Sequence, residues 1–168
     1  MKSIFKLLAF SFLLLTPITI SAQTNVAHIN VQQLISEMPE VIAAQNELAK
    51  LEKDYTTQID NAFKEFQTKA QSYSSDAANQ TDVTNQARQK ELESMQTNLQ
   101  EFRDSAAQEL QKKQMDLMTP LLEKARNAIN KVGKDQGFNY VIDSSPNGGI
   151  ILADGKDLLD DVKRELGF

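Results

Sequence analysis

The 168-residue sequence has no cysteine, no tryptophan and a single histidine. Without cysteine there is no disulfide, no thiol nucleophile and no thiolate metal ligand. One histidine rules out a paired-histidine metal motif, and there is no glycine-rich phosphate loop. Proline and glycine are scarce as well. The chain has four prolines and six glycines, and neither residue occurs anywhere from Glu40 to Met118. Positive charge is also in short supply, with 18 Lys and Arg against 23 Asp and Glu and a net charge of −5. Nucleic-acid binding draws most of its affinity from neutralising phosphates, so this balance excludes a nucleic-acid partner.

Long apolar runs are confined to the start. "MKSIFKLLAFSFLLLTPITISAQ" places Lys2 and Lys6 before an apolar stretch that ends in small residues at Ser21 and Ala22. That is the layout of a secretory signal peptide spanning residues 1–22, with cleavage expected after Ala22. Pro17 and the shortness of the run argue against a retained anchor. Removal would leave 16 basic and 23 acidic residues. Export together with an absence of cysteine fits a periplasmic location.

What the middle does contain is helix-forming sequence rich in Ala, Gln, Glu, Lys and Leu, bracketed by Pro39 and Pro120. Thr119 reads as an N-cap for a new helix beginning at Pro120. The polar stretch "SSDAANQTDV", residues 74–83, has no apolar period and reads as a loop. Residues 40–73 and 84–118 are therefore two arms of nearly equal length. Their apolar residues recur at steps of three and four, the seam of a coiled coil. Folding one arm back on the other opposes Phe66 to Leu92, Ile59 to Leu99, Tyr55 to Phe102 and Leu48 to Leu110, with Leu51 and Met95 falling opposite alanines. Register held over so many rungs predicts an antiparallel hairpin. Phe63, Tyr73, Met115 and Met118 lie off the seam. Aromatic and Met side chains there suit adaptable contacts with a polypeptide client.

The flanks differ in kind. "VAHINV", "NYVID" and "GIILAD" are β-prone, the last two separated by "SSPNG", a hairpin signal. Gly133 and Gly137 are stop signals for the helix after Pro120, and Asp157 is a cap for a short terminal helix. The expected fold is α+β. A small β-rich oligomerisation body (residues 23–39 and 119–168) carries the hairpin arm (40–118, tip loop 74–83). A sheet this small has exposed edges and gains from pairing with copies of itself. Val26, Ile29, Val31, Tyr140, Ile142, Ile150 and Leu152 are the candidate residues of that assembly.

Two sites are set aside. Asp143, Ser145, Asn147, Gly148, Ile150 and Asp154 are spaced loosely like a calcium loop, but β-prone sequence on both sides and an Asp where a bidentate Glu is usual argue against it. His28 sits in a strand without a partner group and reads as an ordinary sheet residue. Neither a catalytic constellation nor a cofactor or metal site emerges, and no enzyme is expected.

"VAHINVQQLISEMPE", "MTPLLEKARNAINKVGKDQGFNYVID" and "GGIILADGKDLLDDV" together resemble the Skp (OmpH-like) family of periplasmic chaperones over the whole chain after the leader. The resemblance implies a homotrimer whose helical arms surround a cavity. That cavity holds unfolded outer-membrane β-barrel proteins without ATP, in transient proximity to a membrane surface. The family's best-known members are basic, whereas residues 40–119 here carry 14 acids and 9 bases. Electrostatic capture along the arms and a lipopolysaccharide site therefore do not carry over. The competing expectation is a structural coiled-coil adaptor or spacer with one dedicated envelope partner.

Overall fold

The computed structural model describes residues 24–146 and 149–168. The expected signal peptide and the centre of the "SSPNGG" turn lie outside the described residues. The chain begins with strand β1 (Val26–Ile29) and helix α1 (Val31–Glu37), followed by the long helix α2 (Pro39–Asp76). A 3-10 turn at Ala77–Asn79 leads into helix α3 (Asp82–Asp135), then strands β2 (Tyr140–Asp143) and β3 (Lys156–Asp157) and helix α4 (Leu159–Leu166).

Local chemistry sets most of these boundaries. Asn30 caps α1 by accepting the Gln33 amide at 2.9 Å. Pro39 occupies the first turn of α2, where its missing N–H costs nothing. Thr81 caps α3 through the Thr84 amide. Both helices run beyond the polar stretch expected as the tip loop. Residues 74–76 are helical and α3 starts at Asp82, so the reversal is only a few residues long.

The larger correction is at Pro120. No new helix starts there, and Thr119 caps nothing: α3 runs unbroken for 54 residues with Pro120 inside it. A proline removes one backbone hydrogen bond and crowds the preceding turn. The apolar face, however, continues on both sides of it. Met118 and Leu121 pack beside buried Ala125, Ala128 and Val132 in one cluster. Packing the whole face outweighs the local defect. Pro120→Ala is accordingly expected to raise the thermal midpoint of unfolding, with a gain of up to about 3 kcal/mol, readable by circular dichroism.

The expected β-hairpin is also replaced. β1 lies between the other two strands, in the order β2-β1-β3, and pairs with each in parallel. β2 and β3 never pair with each other. Both find the N-terminal strand, which buries Ala27 and Ile29 against the helices. The apolar run at residues 150–152 belongs to no strand and stays on the surface. Gly133 is not a stop but a buried helical position. A Cβ there would meet Val141 Cγ2 at 2.8 Å, so glycine permits the close approach of α3 to β2. Gly137, with φ +75°, is the residue that turns the chain out of α3. Asp157 assists the start of α4 by accepting the Leu159 amide at 2.9 Å, although Leu158 holds the cap position.

The main buried cluster gathers the body with the start of α2, where Val41 joins it, and Ala44, Leu99 and Ala106 are buried along the arm itself. Ile29, Leu34, Met38, Val41, Leu158 and Val162 are the cluster's largest buried side chains. α2 is about 57 Å long at 1.5 Å per residue. It projects from this core with the facing part of α3 as an antiparallel hairpin.

Candidate functional site

The parallel register fixes which side chains share a face of the sheet. Ala27 and Ile29 point into the core, so Val26 and His28 point away from it. Their partners Tyr140 and Ile142 point the same way. Val26, Tyr140 and Ile142 are exposed there, Ile142 to 39%. Ile150 and Leu152 join Val26, His28 and Ile142 around a shallow cavity of about 230 Å³. Leu152 is 82% exposed, and the adjoining Ile151 is more exposed still. Five of the seven expected assembly residues thus form one apolar outer face. Ile29 and Val31 do not belong to it: Ile29 is part of the core and Val31 packs against the core. Period-two alternation could have separated Ile29 from Val26, but Ile151 carries no distinguishing signal in the sequence.

His28 ties this face together. Its Nε2 lies 3.2 Å from the Gly155 carbonyl oxygen and its Nδ1 3.2 Å from Ser144 Oγ. A carbonyl can only accept, so Nε2 donates to Gly155 and, in the neutral ring, Nδ1 accepts from the Ser144 hydroxyl. The ring thereby pins both ends of the segment between β2 and β3. Asp143 acts as a turn acceptor for Ser145 and for the Val31 amide. Burial works to raise its carboxyl pKa, and those hydrogen bonds outweigh burial and hold it below the ordinary value. Among the described residues no group of three or more His, Asp or Glu side chains is placed to hold a metal ion.

The arm is the second element. Leu48, Leu51, Tyr55, Ile59, Phe66, Leu92, Met95, Phe102 and Leu110 are each half-buried along the seam, and Leu99 is buried. The Tyr55 and Phe102 rings meet edge to face at 6.0 Å. Near the body, Lys124 pairs with Glu40 at 2.5 Å and Lys113 with Glu47 at 2.8 Å. At the tip Glu91 receives Lys69 and the Tyr73 hydroxyl, each at 2.6 Å. Arg88 pairs with Asp76 at 3.0 Å and stacks 4.7 Å over the Tyr73 ring. Tyr73 therefore serves the tip's own structure rather than offering a free surface, and Met118 packs against the core. Of the four expected contact residues, Phe63 and Met115 are exposed, Met115 to 55%.

The tip network has a pH consequence. The Lys69 ammonium, then the Tyr73 hydroxyl, hold the Glu91 carboxyl below its ordinary 4.5. Arg88, then Asn79, hold Asp76 below its ordinary 3.8. A carboxylate with a lowered folded-state pKa stabilises the fold above its unfolded value, and that contribution is lost as pH falls through the lowered value. Amide exchange across residues 70–90, corrected for intrinsic rates, is expected to speed up below about pH 4. Glu91→Gln should blunt that response.

A family model described as "Outer membrane protein (OmpH-like)" matches residues 25–166. A search of curated protein sequences found no match. Among solved structures, a proposed outer membrane chaperone (OmpH-like) from Caulobacter crescentus CB15 superposes with a TM-score of 0.77 at 12% sequence identity. The match covers 86% of this chain and 85% of that one. At that identity the likeness is one of fold.

Proposed function

The chain belongs to the OmpH-like outer membrane protein family, and from that premise we propose that it is an ATP-independent holding chaperone of the periplasm. It binds unfolded outer-membrane β-barrel proteins between helical arms and keeps them from aggregating. The observation that carries this reading is the mismatch between arm and body. A two-helix arm about 57 Å long stands on a body that leaves an apolar sheet face bare. Such a face is covered by copies of the same chain, and assembly arranges the arms around a shared space. Three subunits is the number the family resemblance supports, and a cleaved leader accounts for export. The seam is thin and partly alanine, so the arms can bend around clients of different size. Release then follows the client's own folding rather than nucleotide hydrolysis.

Two measurements test the reading. Sedimentation of the intact chain should give the mass of a trimer, and Ile142→Asp, on the outer sheet face, should give a folded monomer. A trimer unaffected by that change would place the interface elsewhere. Light scattering of a diluted, unfolded barrel protein should fall when the chain is present without nucleotide. Unchanged aggregation would leave the arms as a docking or spacer device for one envelope partner.

A further inference from the structure

The cross-arm polar contacts leave a gap. Tyr55 donates to Glu109 on the body side and Lys69 pairs with Glu91 on the tip side. Among the described residues no ion pair joins the helices between these two. Within the gap Phe63 stacks on Phe66, ring centroids 6.5 Å apart and planes 23° from parallel. The Arg103 guanidinium lies 6.0 Å over the Phe63 ring. Arg103 makes no salt bridge among the described residues, in an arm where acids outnumber bases. These three side chains border a surface cavity of about 450 Å³ that also includes Gln96, Gln100 and Glu101.

We propose that this groove is a discrete docking site for an extended polypeptide segment carrying an aromatic side chain beside an acidic group. The proposal rests on the holding-chaperone reading and names where on the arm the client is gripped. The stacked rings offer an apolar wall with Phe63 partly bare, which suits an inserted aromatic ring. Arg103 supplies a cation with no acid of its own, so an acidic group next to that ring completes its charge. Glu101, which also borders the cavity, disfavours an acid on its own side and thereby favours one direction of the segment. Gln96 and Gln100 lie one turn apart, about 6 Å along the helix. Alternate residues of an extended strand repeat at about 6.6–6.8 Å, so the Gln96 amide and the side-chain carbonyl of Gln100, whose Nε2 donates to Asp104 Oδ1 at 3.0 Å, can meet successive backbone groups on one edge. A helical segment would not present its backbone in this way.

The test uses the intact chain and fluorescent ten-residue peptides that alternate aromatic and polar residues. One peptide has Asp beside its central aromatic residue, a second has Lys there, and a third has Ala in place of that aromatic. The Asp peptide is expected to bind about tenfold more tightly than the Lys peptide. Arg103→Gln should bring that ratio close to one. Phe63→Ala should weaken both peptides by about tenfold while keeping the helix content, because Phe63 lies outside the buried cluster of the body. Parent-like binding by either variant overturns the proposal, as does a parent that binds all three peptides alike. If aggregation of an unfolded barrel protein is still suppressed in that case, the holding reading stands without this groove. If the peptides behave as expected but aggregation is not suppressed, the groove stands as a docking site and the holding reading falls.

Discussion

Leu34→Ala is expected to remove most of the stability of the body. Leu34 is fully buried, the one residue of α1 in a cluster that also draws on β1, α2, α3 and α4. Truncating a buried Leu costs about 2–5 kcal/mol, because the surrounding side chains only partly fill the space left behind. Domains of ordinary size have a net stability on the order of 5–15 kcal/mol, and this core is small. Its buried set is ten residues from β1, α1, the first turn of α2, the last third of α3 and α4, with the cap residues Met38 and Leu158. Losing one of its largest members should lower the thermal midpoint sharply and expose the outer sheet to aggregation. Ile151→Ala is the matched control: Ile151 touches no core residue and is fully exposed in the single chain, so its loss should leave the monomer's midpoint unchanged. Equal effects from the two substitutions would contradict the placement of the core.

Replacing residues 50–108 with a short Gly/Ser turn is expected to abolish client protection while leaving the assembly intact. Every residue of the buried cluster lies outside that segment. Two closing pairs, Glu47 with Lys113 and Glu40 with Lys124, survive the cut and hold the stump together. Sedimentation should therefore show the same number of subunits at reduced mass. Light scattering of an unfolded barrel protein should match that of the client alone. Retained protection would move the client site onto the body and remove the purpose assigned to the arm.

The hairpin was the most legible feature, because a coiled-coil seam is written in spacing alone. Tyr55 opposite Phe102 could be read from position and is observed as a ring contact. Elements whose outcome depends on packing were less legible. Pro120 carries a strong local stop signal, and only the continuous apolar face from Met118 to Val132 overrides it. The "NYVID" and "GIILAD" runs carry a hairpin signal, but strand pairing is decided by which neighbour buries more. β1 took Tyr140–Asp143 from the first run on one side and Lys156–Asp157, just past the second run, on the other, so "GIILAD" itself pairs with nothing. Gly133 looks the same in sequence whether it ends a helix or admits a strand against it. For the arm surface, Tyr73 and Phe63 are equivalent off-seam aromatics until the nearby Glu91 and Arg88 are seen to occupy Tyr73.

In the proposed chaperone, several arms on a shared body enclose one unfolded client. The most direct measurement is the native mass of the complex formed when an unfolded outer-membrane barrel protein is diluted into the chain without nucleotide. The expected product is a soluble particle containing about three subunits and one client, stable until the client is offered a membrane to fold into. A homotrimer that sediments alone while the client aggregates beside it would mean that the arms do not hold the client.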